Sequence, residues 1–360
     1  KLDLPNDFVL SARVALAPQV EASLVFVGYG LHTPEAGHDD LAGIDLKGKI
    51  AVYIGGAPTR VSGPLQAHAG SAGIRWAALK EAGAIGYFSV GNPKNQDIPW
   101  ERSAPSSFTA AMVLAESVLD DSQLIRFGAS MNPARADKLF AGSGHTFAEL
   151  LKLVDDKKEL PRFTLPLRLQ ATVKTETGEV ASENVAGIIQ GSDPALRNEY
   201  VVLSGHLDHL GVGPAVNGDT IYNGAMDNAS GTAAMIEAAR ALAAKPPKRS
   251  VIITAVTAEE KGLLGSRFLM AHPGIAANSI VADVNSDMFL PLYPMRMLTG
   301  IGISESSLKE PLARVCQRMG IELEDDPEPE RNLFVRSDHY NFVRSGIPAV
   351  FLKIGFKKGS

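Results

Sequence analysis

In the second half of the chain, five segments set an acid or a histidine just past a strand-like run or just ahead of a helical one. Tyr200–Ser204 leads into Gly205, His206, Leu207, Asp208 and His209. Asp227 and Asn228 precede an Ala-rich helical stretch, and the apolar run Ser250–Val256 (SVIITAV) leads to Glu259 and Glu260. Ser279–Val284 leads to Asp287, and Ser337, Asp338 and His339 come before the last strand-like run. Imidazole and carboxylate are the donors that borderline divalent cations such as zinc take. Two imidazoles and three carboxylates drawn from these segments suffice for two cations about 3.5–4 Å apart, provided one carboxylate is shared. A further acid beside a ligand can then act as a base. The adjacent pair Glu259–Glu260 suits that division, because neighbouring side chains on an extended or turning backbone point different ways. Asp208, two residues after His206, can bond the far ring nitrogen and fix its tautomer.

Taken singly, each residue has an ordinary reading. Asp227 is a natural helix N-cap. Glu259–Glu260 reads as an exposed charged turn, and His206 and His339 as structural or loop histidines. Asp287 lies in an apolar stretch and is harder to set aside, since a buried carboxylate needs a partner. What joins them is their order along the chain, each beside a strand or helix end.

The elements that would position them alternate. Strands are expected at Asn184–Ile189, Tyr200–Ser204, Ser250–Val256, Ser279–Val284 and Ala349–Ile354, and helices at Ser230–Ala244, Leu263–Met270 and Ser307–Met319. That pattern predicts an α/β fold, a mostly parallel, doubly wound sheet with helices on both faces. In such sheets ligands collect beyond the carboxyl ends of the strands. The first half has a different texture. Short apolar runs at Leu24–Tyr29, Ile50–Ile54 and Ala84–Val90 read as strands, and Leu165–Thr177 as a half-buried strand. Helices are expected at Ser71–Ala82, stopped by Gly83, and at Phe147–Leu153. Together these predict a smaller β-rich domain.

A chain of 360 residues has room for about two domains. Lys plus Arg number 35 against 40 Asp plus Glu, a net charge of −5, so the basic excess of a nucleic-acid-binding surface is missing. The single cysteine, Cys316, excludes an intrachain disulfide and a thiolate zinc site. No apolar run reaches the roughly 18 residues of a membrane span. No G-x-S-x-G follows a strand, which removes the nucleophile elbow of a serine hydrolase. Lys1–Asp7 has no apolar signal core, and the expected location is periplasmic or secreted with the signal removed; the low cysteine content fits the cytosol as well.

The stretches SGHLDHLG (Ser204–Gly211), YNGAMDNASG (Tyr222–Gly231), TAEEKGLLGS (Thr257–Ser266), NSDM (Asn285–Met288) and RSDH (Arg336–His339) resemble the co-catalytic di-zinc exopeptidases. That family includes bacterial leucyl-type aminopeptidases, glutamate carboxypeptidases and glutaminyl cyclases. The resemblance implies a zinc exopeptidase fold with two Zn2+ per chain. His206 and Asp287 would hold one ion, Glu260 and His339 the other, and Asp227 would bridge them. Glu259 would be the general base, Asp208 would orient His206, and the Asp227–Asn228 peptide would be cis. Some members carry an acid where this chain has Met226. LVFVGYG, DLKGKIAVYIGGAP and WAALKEAGAIG resemble the protease-associated domain that many members carry as an insertion. The implied division is residues 1–19 packing on the catalytic domain, 20–172 as a protease-associated domain with an insertion, and 173–360 as the zinc peptidase. A fuller member would have more N-terminal sequence. The inserted domain would narrow access to short peptides.

The expected reaction is hydrolysis of the N-terminal peptide bond of a short peptide. A glutamate carboxypeptidase-like activity stays open, since Arg331, Arg336 and Arg344 lie near His339 and Arg is the usual carboxylate clamp. A single-zinc glutaminyl cyclase and a non-catalytic binding relative are the remaining alternatives. Tyr222 and Phe334 are candidates to line a side-chain pocket.

Overall fold

The structure, a computed structural model, describes residues 1–95, 98–105, 109–290 and 292–355. The chain forms two compact units, Lys1–Glu179 and Val180–Ser360. Residues 356–360 of the expected catalytic segment lie outside the described residues.

The first unit is built on a six-stranded sheet. Ile50–Ile54 is buried along its whole length because it lies inside the sheet, parallel to both Gln19–Val27 and Gly86–Val90. Alternate residues feed two cores. Phe26, Phe88, Phe127 and Phe140 pack on one face, and Val25, Trp76, Leu79 and Tyr87 on the other. The helix Phe147–Asp155 starts at a capping box, in which Thr146 and Glu149 satisfy each other's main-chain N–H. Phe8–Leu10 adds an antiparallel edge strand beside Phe127–Met131. The N-terminal segment therefore belongs to the first unit. A run of only three apolar residues declares no partner, and the pairing is secured by Asp7, whose buried carboxylate takes the Lys138 ammonium at 2.6 Å.

In the second unit, Ser250–Val256, Tyr200–His206, Ile280–Ser286 and Ala349–Ile354 run side by side and parallel. Val185–Ile189 closes one edge antiparallel to Ser250–Val256. On the other side Met297–Ile301 pairs antiparallel with Ala349–Ile354 and carries the short strand Glu322–Glu324. Those last two strands were not expected; MLTGI is short, and its glycine weakens a strand pattern. Helices Gly231–Ala244, Leu264–Ala271 and Lys309–Met319 fall within a few residues of their expected bounds. A hairpin, Gly211–Val216 with Asp219–Tyr222, leaves the sheet just after His206. It turns at Asn217–Gly218, both with positive φ (53° and 86°), as a tight hairpin turn needs. None of the helices among the described residues is long and apolar enough to cross a membrane.

Val202, Ile252, Ile280, Phe342, Ile347 and Ala349 form the apolar cluster of this unit. Phe342 is wholly buried in it. Phe342→Ala is expected to cost about 3–5 kcal/mol, read as a lower denaturation midpoint.

Candidate metal centre

The parallel register brings the chemistry to one edge. His206 is the last residue of its strand and pairs with Val256, three residues before Glu259. Asp287 follows Ser286, the last residue of the strand on the other side. Asp227 sits in the turn before helix Gly231–Ala244, and the Asp227–Asn228 peptide is cis. Asn228 stitches this turn to both strand ends. Its Nδ2 donates to the carbonyls of His206 (3.3 Å) and Ser286 (3.0 Å), and its Oδ1 accepts from the N–H groups of Gly231 and Met288, each at 3.0 Å. Thr232 adds a hydroxyl donor to the His206 carbonyl at 2.9 Å. Gly231 must lack a side chain, because a Cβ there would lie 2.2 Å from Asn228 Oδ1 and 2.4 Å from the Ser286 carbonyl.

Two groups of possible ligand atoms result, each within 4.8 Å: His206, Asp227 and Asp287, and His209, Asp227 and Glu260. Asp227 stands in both, as a shared carboxylate must. His206 Nε2 lies 3.2 Å from Asp227 Oδ1 and 3.4 Å from Asp287 Oδ1, and His209 Nδ1 lies 2.6 Å from Glu260 Oε1. Four of the five expected ligands thus come together. His339 is in neither group among the described residues, and His209, to which the sequence reading gave no role, stands in the second. His339 opens the short helix His339–Arg344, fully buried beside Phe334 and Phe351.

Several of these atoms are buried yet make no well-formed hydrogen bond: His206 Nε2, His209 Nδ1, Glu260 Oε1, Asp287 Oδ1 and both ring nitrogens of His339. Buried polar atoms are almost always satisfied. The unsatisfied atoms of His206, Asp287, His209 and Glu260, which lie close to one another, fit divalent cations such as zinc. Asp208 supports His206 in a way the sequence did not suggest. His206 Nδ1 faces the main-chain carbonyl of Asp208 at 3.0 Å, while the carboxylate accepts a long bond from the Glu259 N–H at 3.4 Å. The tautomer is therefore set by backbone.

The electrostatics match a crowded acidic pocket. Burial pulls the His206 pKa down, but Asp227 and Asp287 outweigh it and push it up to about 11. His206 in turn holds Asp227 below the usual carboxylate range. Burial, then the charge of Asp338, raises Glu259 to about 9. Burial and Asp227 raise Glu260. Burial also raises Asp338 to about 7 and lowers His339 to about 4.

Of the other expected residues, Tyr222 lines a cleft of about 450 Å³ beside His209, with Leu207, Ala233 and Ile236. Phe334 is buried edge-on against His339 and Tyr340. Arg331 is paired with Glu328 at 2.9 Å.

Residues 184–359 match the family model of peptidase family M28. A "Probable zinc metalloprotease" of Pyrenophora teres f. teres is 27% identical over 234 residues, which are 52% of this chain and 46% of that protein. A "probable leucine aminopeptidase 2" of Aspergillus oryzae is 29% identical over 171 residues, 46% of this chain and 32% of its own length. The chain thus spans less than half the length of these two relatives. Among solved structures, the aminopeptidase from Aneurinibacillus sp. strain AM-1 aligns over 95% of this chain and 67% of its own, with 19% identity and a TM-score of 0.48. With its family match running almost from end to end, the unit Val180–Ser360 belongs to peptidase family M28.

Proposed function

We propose that the protein is a zinc metallopeptidase of the aminopeptidase type, acting on the N-terminal bond of short peptides through two cations. The observation that carries this is the pair of ligand groups sharing Asp227. His206 and Asp287 would hold one ion. Glu260 would hold the other, together with His209 or His339. Bound there, such a pair lowers the pKa of water and polarises a carbonyl.

The chain's own residues supply the proton transfers. Glu259, next to a ligand but in neither group, takes the proton of the attacking water at its carboxylate and returns it to the departing amine. For this it must be ionised, and neighbouring cations oppose the burial that keeps it protonated in the metal-free protein. Acids around the site suit a substrate's free α-amine. Among the arginines near His339, Arg331 is engaged by Glu328, which supports the amino-terminal reading. A panel of aminoacyl reporter substrates against N-blocked and carboxy-terminal ones, with zinc-replete protein, tests it. Turnover confined to carboxy-terminal substrates would replace this assignment.

Glu259→Gln keeps the shape and removes the base. It is expected to lower kcat at least ~10²-fold with zinc content unchanged. His209→Ala and His339→Ala decide the second ion's imidazole; the true ligand is the one whose loss lowers stoichiometry from two zinc to one.

Stability should also respond to pH. The folded, metal-free chain keeps protons on Glu259 and Asp338 that the unfolded chain has released by about pH 5, and on His206 above about pH 6.5. These groups make stability fall as pH rises. His339 acts oppositely, since burial keeps it neutral at acid pH where the unfolded chain is protonated. Because the groups with raised pKa outnumber His339, the melting temperature of chelator-treated protein is expected to fall as pH rises from about pH 5 to about pH 9. Added zinc should raise it most at the alkaline end, where ligands deprotonate readily. Calorimetry with and without chelator checks both.

A further inference from the structure

Beneath the cage, four polar side chains, Ser204, Asp283, Asn285 and Ser337, are sealed from solvent. Ser204 and Asn285 are register partners on adjacent parallel strands. The Ser204 hydroxyl lies 2.8 Å from Asp283 Oδ1 and 3.1 Å from Asn285 Oδ1, and Asn285 Nδ2 donates to Ser337 Oγ at 2.6 Å. A serine has one hydrogen to give. Two oxygens face it, so one contact needs a proton from the other side. Asn285 Oδ1 has none to offer. Asp283 does when neutral, and its complete burial favours the neutral acid. The bonds then run in one direction: Asp283 donates to Ser204, Ser204 to Asn285, and Asn285 to Ser337.

The spacing ties this row to the metal centre. Ser204 stands two residues before His206, Asn285 two before Asp287, and Ser337 two before His339. Side chains two apart on a strand share a face, so Ser204 and Asn285 form the row directly below His206 and Asp287. Buried polar groups are costly unless bonded, and a slip of one strand past the other would leave these unbonded. We propose that Asn285 is a positioning residue that, by bonding Ser204 on one side and Ser337 on the other, fixes the relative heights of the segments carrying His206, Asp287 and His339 and so the geometry of the cation cage. This rests on the two-cation reading above.

The test is titration of chelator-treated protein with cobalt(II) alone, read as affinity and as the visible ligand-field spectrum, beside the melting temperature. Asn285→Leu is expected to weaken cobalt binding about 10–100-fold and to change the spectrum. Asn285→Asp, which keeps the acceptor for Ser204 and loses the donor to Ser337, should fall between. Thr254→Val is the control: Thr254 is buried, pairs in register with Ser204 from the opposite strand and makes no hydrogen bond through its hydroxyl. It should bind cobalt like the wild type. If Asn285→Leu does not fold, Ser337→Ala, which removes the amide's acceptor, is read the same way. Wild-type affinity and spectrum in the Asn285 or Ser337 variants, whatever their melting temperatures, would overturn this inference alone. Wild-type protein that binds no cobalt would overturn the two-cation reading and this inference with it.

Discussion

Four strands held parallel and in register, Ser250–Val256, Tyr200–His206, Ile280–Ser286 and Ala349–Ile354, set the direction in which every reactive group of the second unit must point. Parallel pairing sends consecutive carboxyl ends to the same side, which no hairpin can do. His206, Glu259 and Asp287 are spread over about eighty positions of sequence, yet each lies within three residues of the end of one of three adjacent strands. Asp227 and Glu260 are then brought in by loops that rise from that edge. The sheet's apolar interior supplies the rigidity, and the loops supply the chemistry.

Gathering Asp227, Glu259, Glu260, Asp287 and Asp338 in one place works against folding, because like charges repel and burial disfavours each of them. The raised pKa values of Glu259, Glu260 and Asp338 are the signature of that conflict. Without cations the pocket relieves it by holding protons. With cations, the oxygens of Asp227, Glu260 and Asp287 would serve as ligands instead. One cluster therefore accounts for both the orphaned atoms and the acid–base behaviour.

Much of this was legible in the residues. Continuous apolar runs such as SVIITAV mark buried parallel strands, and the acids placed after them marked the edge where a site would form. What escaped was what strand periodicity does not encode. Phe8–Leu10 is too short to show its partner. The Asn217–Gly218 turn carries a local signal, an Asn-Gly pair between β-prone runs, but the runs beside it are too short to stand out as strands. His209 lies three residues after His206 in HLDH, and the spacing alone cannot say whether it or His339 meets Glu260. Asp208 was expected to act through its carboxylate, yet it is the main-chain carbonyl that faces His206, and no side-chain pattern announces a backbone acceptor. No local pattern around Asn228 announces that its amide bonds the ends of two separate strands.

That side chain has a consequence for how freely the protein can change over generations. An asparagine amide offers two hydrogens and two lone pairs, and here all four are spent on His206, Ser286, Gly231 and Met288. Aspartate would bring no hydrogens to the two carbonyls, glutamine is one carbon too long, and serine is too short to reach both strands. Position 228 is thus a dead end for neutral drift, while the exposed face of the helix that follows can wander.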